Sequence, residues 1–364
     1  MNAYGGGSRG GIRHAYPLEV TSASFTTALV LNLRTLPYAF VRFFLHTAHA
    51  LVAIAFFVAT IVCAAVVGKE VHPAAGVAVL VVGIVVYTVL WAWWFRYALY
   101  AVKCGHIACL TDLITRGKIG DGSEGMLSYG KHVVRERFAD VAQVYVLQAL
   151  IRGVVSEFNM AIGFIADILP FAIPMLGWAR RLLRASTRYL DETLFAYSLI
   201  RRNEPLWDVC SEGLGYYFQN SKEILKTSMW MMVLGSILRA LLWIGFLIAG
   251  FFICLPIFGG LIAAHGHMIA NDVGSGPGID PSGAVTILSA CVGALIFAGI
   301  SIYSIERAFL HPIYLTMVMT KFLLVIQTQP LSADFERYLL TPRAQLLRNQ
   351  VSRMDGGRIR PPPR

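Results

Sequence analysis

The sequence predicts an all-α polytopic membrane protein, and three features of the 364-residue chain indicate this class. Hydrophobic residues make up 56% of it and charged residues only 14%, against roughly 25% charged residues in soluble domains. Four stretches without charged side chains exceed the about 20 residues that cross a bilayer: residues 43–68, 71–95, 240–271 and 281–305. When the chain is threaded through these stretches, Lys69 alone among 31 Lys and Arg residues falls on the outer side. This is the positive-inside pattern, so both termini are expected in the cytoplasm.

The first part of the chain is predicted in order from its composition. Residues 1–19 are expected to form a flexible, basic, Gly-rich tail. Residues 20–33 carry apolar side chains at helical spacing and predict an amphipathic helix at the cytoplasmic interface, with Pro37 separating it from the first span. Residues 96–115 continue the second span as a helix, and residues 117–125 (GKIGDGSEG) predict a loop.

A membrane-embedded helical hairpin is predicted within residues 130–202. Its window 153–179 contains no Lys or Arg. Pro170 and Pro174 lie in the middle of that window and favour a turn there. The pattern fits both a hairpin that spans the membrane and one that is re-entrant. The four uncharged spans therefore become six membrane helices if the hairpin crosses.

The third span is predicted to begin near Met229 and to end or kink at Pro256, which leaves residues 255–282 as a loop without Lys or Arg. A second amphipathic helix, residues 206–218, precedes this span. In the fourth span, small residues recur at four-residue spacing and predict close helix packing. These residues are Ser289, Gly293, Ala290, Ala294 and Ala298.

The last part of the chain is predicted to leave the membrane as helix. Residues 306–327 continue helical with an interruption at Pro312, residues 331–348 form a cytoplasmic helix, and residues 349–364 form a flexible tail rich in Arg and Pro. The order of elements in residues 20–116 recurs in residues 205–328: an amphipathic helix, two spans joined by a basic-poor loop, then a long helical extension. We interpret this as a parallel repeat inside one helical membrane domain, residues 20–348, which is a plan typical of transporters.

Four segments of the chain resemble the choline transporter-like family, in the membrane portion toward that family's C-terminus. Residues 24–44 resemble its amphipathic stretch before a span. Residues 125–152 resemble its Arg-flanked helix, with the sequence GMLSYGKHVVRERFADVAQVYVLQALIR. Residues 189–230 resemble its aromatic-rich helix and basic approach to a span, with the sequence YLDETLFAYSLIRRNEPLWDVCSEGLGYYFQNSKEILKTSMW. Residues 302–338 resemble its closing helix and acidic-aromatic tail.

The resemblance implies an integral membrane transporter-like protein for choline or another small organic cation, with a path between the repeats. A quaternary ammonium donates no hydrogen bond, so aromatic faces and carboxylates are its expected ligands. The candidate substrate-binding residues are Tyr87, Trp91, Trp94, Glu157, Tyr189, Trp243, Tyr303 and Glu306. The adjacent acids Asp191 and Glu192 are further candidates for a buried cation or proton site.

Each candidate also has a structural interpretation. The aromatic residues fit an interfacial belt. The carboxylates fit ion pairs between helices, with Arg152, Arg239 and Arg307 as partners and Arg239 or Arg307 paired with Glu157. Two other functions stay open: a non-transporting scaffold or accessory subunit of a larger membrane complex, and a lipid-handling protein.

The net charge of +10 follows the sidedness of the loops, so anionic lipid head groups, and not nucleic acid, are the expected partner. A homo- or hetero-oligomer is compatible with the sequence. The six Cys residues show no CxxC spacing, and the Gly-rich segments precede no Lys-Ser/Thr pair. We therefore expect neither a metal site nor a cofactor, and no enzymatic activity.

Overall fold

The structure is a computed structural model of the chain, and it describes residues 16–91, 96–137, 189–201, 204, 206–272, 281–327 and 329–330. Within these ranges the regular structure is helical and no strand is present, which confirms the all-α class. Several sequence predictions lie outside the described residues: residues 138–188 of the hairpin, the helix of residues 331–348, most of the N-terminal tail and the whole C-terminal tail.

Five helices form the first part of the chain: α1 (Phe25–Arg34), α2 (Leu36–Glu70), α3 (Pro73–Leu90), α4 (Arg96–Arg116) and α5 (Met126–Arg137). The hydroxyl of Ser24 caps α1 by accepting a hydrogen bond of 3.1 Å from the backbone N–H of Thr27. Thr35 alone separates α1 from α2. Pro37 lies in the first turn of α2, where the missing N–H removes no intrahelical hydrogen bond. The segment 117–125 is a loop without helix, as its composition predicts.

Five further helices form the second part: α6 (Leu190–Ile200), α7 (Leu206–Gln219), α8 (Ser221–Asp272), α9 (Pro281–Ile305) and α10 (His311–Ile326). A π-helical turn, Glu306–Leu310, joins α9 to α10. Pro312 has no N–H to offer the carbonyl one turn earlier, so the regular hydrogen-bond ladder cannot run through it. The predicted interruption at Pro312 is confirmed, and it takes the form of this wider turn just before the proline.

Of the two outcomes predicted at Pro256, an end of the helix is wrong, whereas the uncharged stretch of residues 240–271 is helical throughout. The helix α8 continues through Pro256 as far as Asp272, so the predicted loop of residues 255–282 is helical over most of its length. A membrane supplies the physical reason. Backbone groups in hydrocarbon must find partners within the protein, so a helix persists through a Pro or Gly that would end it in water.

Four helical stretches are long and apolar enough to cross a membrane: Leu36–Glu70, Pro73–Leu90, Lys222–Gly260 and Val285–Ile326. In the first three, only 6% of the most apolar window is buried inside the protein. Large side chains such as Phe44, Val82 and Phe252 are exposed along these helices. Such a surface is stable against hydrocarbon and not against water, so this is an integral membrane protein.

The chain divides into two compact units, and unit 1 holds the described residues within 1–39, 98–232 and 312–364. The helix α6 is buried on all sides, and Leu194 and Phe195 are among its covered side chains. Polar groups join distant segments of this unit. The amide of Asn32 donates a hydrogen bond of 2.9 Å to the hydroxyl of Thr316. The hydroxyl of Tyr16 donates one of 2.7 Å to the carbonyl of Leu323.

Unit 2 holds the described residues within 40–97 and 233–311, and small residues allow its helices to approach closely. A Cβ atom added at Gly76 of α3 would lie 2.6 Å from the carbonyl oxygen of Ala64 on α2. A Cβ atom added at Gly250 of α8 would lie 3.1 Å from the Cα of Ala294 on α9. The alanines of the small-residue face are buried, namely Ala290, Ala294 and Ala298. The predicted close packing of the fourth span is therefore confirmed.

Candidate functional site

Tyr87 and Trp91, two of the predicted cation-binding residues, form part of an aromatic cluster between α2 and α3. Their ring centroids are 6.4 Å apart. The imidazole of His49 lies 3.7 Å from the ring centroid of Trp91, and its Nε2 is 2.9 Å from the hydroxyl of Tyr87 in a hydrogen bond. Phe56 and Phe57 pack on Tyr87 with centroid distances of 5.6 and 4.8 Å. The protein's own rings thus occupy these aromatic faces, which favours a role in packing.

Tyr303 and Glu306 are engaged by basic residues of the same unit. Glu306 forms an ion pair with Arg239. The predicted pairing of Arg239 or Arg307 with Glu157 stays a prediction, because Glu157 lies outside the described residues. The guanidinium of Arg307 lies 5.7 Å from the ring centroid of Tyr303 and makes a cation–π contact there. The imidazole of His46 meets the same ring edge-on at 5.3 Å. Two candidate ligands for an external cation are therefore in contact with the protein's own basic side chains.

The other predicted residues do not join these groups. Trp243 lies half-buried on α8 in unit 2. Tyr189 belongs to unit 1, where it is buried at the start of α6. Trp94, Glu157 and Arg152 lie outside the described residues, so their predicted roles stay predictions.

A group of three charged side chains lies in unit 1 and includes a buried carboxyl group. We call Lys103 of α4 with Asp191 and Glu192 of α6 the Lys103 cluster. The Nζ of Lys103 is 2.5 Å from Oε1 of Glu192 and 3.8 Å from Oδ2 of Asp191. It also lies 5.7 Å from the ring centroid of Tyr100. Asp191 and Glu192 occupy the first turn of α6, where the positive end of the helix dipole favours acids.

Within the described residues, the Lys103 cluster places two carboxyl groups beside one ammonium group, and burial makes this imbalance costly. The side chain of Glu192 is only 4% exposed. Burial raises the pKa of Glu192 from an ordinary 4.5 to about 8, the positive charge of Lys103 opposing the rise and Asp191 adding to it. Burial also acts to raise the pKa of Asp191, but hydrogen bonding to Glu192 and the charge of Lys103 outweigh it and lower that pKa.

The basic member of the cluster stays charged. Burial acts to lower the pKa of Lys103, but the two neighbouring carboxyl groups outweigh burial and raise it. Burial raises the pKa of the nearby Cys104 thiol to about 12, so the thiol keeps its proton. The positive charge of Lys103 and the mutual repulsion of the two acids therefore favour a cluster with one ammonium and one proton shared by the pair of carboxyl groups.

Sequence reasoning names Asp191 and Glu192 as possible buried acids but misses Lys103 as their partner. Lys103 and Glu192 belong to helices far apart in the chain, so no local spacing connects them. The available signal is Lys103 itself, a single cation in the apolar run of α4. A lysine in such a position is rarely buried without a counter-charge, which predicts an acid facing it but does not say which one.

Comparison with known proteins gives no match: no family model, no curated protein and no solved structure is similar to this chain.

Proposed function

We propose that this integral membrane protein is a transporter built from two parallel repeats, with a small organic cation such as choline as its substrate. One observation carries the proposal, the matching order of elements in residues 20–116 and 205–327. Each segment has a short helix, a one-residue break, a long membrane helix, a second membrane helix, a π-helical residue or turn, and a final helix. Repeated helical segments of this kind are common in transporters, where movement of one repeat against the other exposes a site alternately to each side.

The one-residue breaks support the repeat, because the same kind of hydrogen bond, from a side chain to a backbone carbonyl, is present at both. The hydroxyl of Thr35 donates a hydrogen bond of 3.2 Å to the carbonyl of Leu31, four residues earlier. The amide of Asn220 donates one of 2.9 Å to the carbonyl of Tyr216, again four residues earlier. In both repeats a polar side chain thus binds a carbonyl in the last turn of the short helix, just before the long membrane helix begins.

The π-helical positions also correspond. Trp91 is π-helical directly after α3, and the turn Glu306–Leu310 follows α9. Irregular turns of this type concentrate at functional sites. They are also the positions near which sequence analysis places Tyr87, Trp91, Tyr303 and Glu306.

Uptake into proteoliposomes tests this function. We expect saturable uptake of labelled choline that tetramethylammonium inhibits. Trp91→Leu should reduce uptake roughly 30-fold, because a desolvated cation–π contact is worth about 2 kcal/mol. Trp230→Leu is the matched control, since Trp230 is 64% exposed at the surface of α8. Uptake that is absent, or that both variants reduce equally, would contradict the proposed substrate.

The structure gives the scaffold alternative less support than the sequence does. That alternative rests on the small-residue face of the fourth span and on the long cytoplasmic helices as surfaces that bind a partner protein, and the structure bears on the first. Ala290, Ala294 and Ala298 are buried within the protein, and Gly293 lies against Cys254 of α8. This face is therefore used in packing α9 against α8.

We propose further that both termini lie in the cytoplasm, with the basic side facing anionic lipid head groups. Single cysteines at Lys69 and Lys118, both exposed, test this orientation in a protein whose six native Cys are replaced. An impermeant maleimide should label position 69 in intact cells and position 118 only after permeabilisation. Labelling of both positions from one side would overturn the orientation.

A further inference from the structure

The second carboxyl oxygen of Glu192, Oε2, is buried and has no hydrogen-bond partner among the described residues. Its first oxygen, Oε1, is held by Lys103 at 2.5 Å. A buried carboxylate oxygen without a partner costs free energy, since it has lost water and gained nothing in return. Oε2 of Glu192 therefore lacks a hydrogen-bond donor.

A proton supplies that donor without any other change. Two ionised carboxylates cannot hydrogen bond to each other, because neither carries a hydrogen. Once Glu192 is protonated, its O–H can donate to Asp191, whose side chain lies within hydrogen-bonding reach. The same proton removes the surplus negative charge, so the cluster becomes one ammonium paired with one carboxylate.

We propose that Glu192, together with Asp191 and Lys103, is a proton-binding site, in which a proton on Glu192 is shared with Asp191 and is released to water as the pH rises. In the release step the O–H bond of Glu192 breaks and both electrons stay on the carboxylate. Glu192 is the enclosed member of the cluster, while the side chains of Lys103 and Asp191 are 19% and 25% exposed and connect it to water. Its neighbours Leu190 and Thr193 have no exposed surface, and Glu192 itself is 4% exposed.

Among the described residues, the titratable groups that face Glu192 lie on α4, α6 and α7. The helix α4 contributes Tyr100, Lys103 and Cys104, α6 contributes Asp191, and α7 contributes Tyr217. Burial raises the pKa of both tyrosines, so they stay neutral over the range in which Glu192 titrates. Lys103 stays charged and Asp191 stays ionised over that range. Glu192 is therefore the member whose protonation changes near neutral pH.

The proton has a defined effect on stability. Between pH values of about 4.5 and about 8, the folded protein retains a proton on Glu192 that the unfolded chain has lost. The contribution of Glu192 to folding stability is therefore complete at acid pH, declines as the pH rises through this window, and is constant above it. Because other groups also titrate there, the informative quantity is the difference between wild type and Glu192→Gln, which cannot ionise.

Infrared titration of the full-length protein in detergent tests the site directly. The carbonyl stretch of a protonated carboxyl group is separate from that of a carboxylate. We expect wild type to lose one such band near pH 8, and Glu192→Gln to lack that transition. Glu223→Gln is the control, since the side chain of Glu223 is 53% exposed. A wild-type protein without a carboxyl transition between about pH 6 and 10 would overturn the proposal.

If the Glu192→Gln variant does not fold, the Glu192→Asp variant provides a second test. Glu192→Asp keeps the carboxyl group on a shorter side chain, so the carbonyl band should persist but disappear at a different pH. A band that disappears at the wild-type pH would belong to another residue and would refute the site.

The role of this proton as a coupling ion rests on the proposed transport function. Choline uptake that ignores an imposed pH gradient would reject coupling alone, while absence of the carboxyl transition would reject the site alone.

Discussion

Gly130→Ala should destabilise the protein strongly, by at least the upper end of the about 1–3 kcal/mol typical of overpacked sites. A Cβ atom at this position would lie 1.8 Å from the hydroxyl oxygen of Tyr38, 2.9 Å from the carbonyl oxygen of Gly105 and 3.0 Å from its Cα. Tyr38 can rotate away only by leaving its stack on His106, where the ring centroids are 5.2 Å apart. The backbone of Gly105 cannot move without shifting α4, so the added methyl group must separate α4 from α5.

Thermal unfolding of the detergent-solubilised protein measures this effect. Gly125→Ala is the matched control, because a Cβ atom there would have no neighbour within 4 Å. We expect the control to melt within experimental error of wild type and Gly130→Ala to melt well below it. Equal melting temperatures for the two variants would show that α4 and α5 do not cross as closely as the structure has them.

Lys103→Met should destabilise the protein by about 3–5 kcal/mol in alkaline solution, the usual cost of removing one partner from a buried ion pair. The substitution leaves Asp191 and Glu192 without their positive neighbour, so ionising both becomes unfavourable. In acid solution both carboxyl groups take up protons and the loss should shrink. The sign follows because, without Lys103, both acids bind protons more tightly in the folded state than in the unfolded chain.

Unfolding of Lys103→Met at about pH 5 and about pH 9 checks this expectation. Lys321→Met is the control, because Lys321 pairs at 3.3 Å with Glu223, whose side chain is 53% exposed. Exposed pairs of this kind contribute only about 0–1 kcal/mol. A loss for Lys103→Met that is equally large at both pH values would show that the lysine contributes through packing and not through charge.

The membrane helices were predictable because hydrocarbon imposes one simple demand, an uninterrupted uncharged stretch. The fourth span illustrates this, since the predicted stretch of residues 281–305 is the helix Pro281–Ile305. The uncharged stretch of residues 240–271 likewise reaches almost to the end of α8 at Asp272, but the loop predicted after Pro256 was wrong. Pro256 ends helices in water, and the prediction applied that rule to a segment where unpaired backbone is more costly than a proline inside a helix.

In the candidate site too, local spacing could be predicted from the sequence, whereas contacts between distant segments could not. Tyr87 and Trp91 are four residues apart, a spacing that puts both on one face of a helix, and the structure brings their rings together. Nothing in that spacing could reveal that His49 contacts both of them. The Lys103 cluster required knowing that α4 packs against α6, which only the tertiary structure provides. Burial then raises the pKa of Glu192, and the extent of burial cannot be read from the sequence.

The proline within α8 has a mechanical consequence. Since Pro256 has no N–H, the carbonyl of Phe252 loses the hydrogen bond it would receive in a regular helix. Bending this 52-residue helix therefore costs less free energy at that turn than at turns whose backbone hydrogen bonds are complete. If the distal third of α8 swings during a transport cycle, the pivot will be the peptide planes between Phe252 and Pro256.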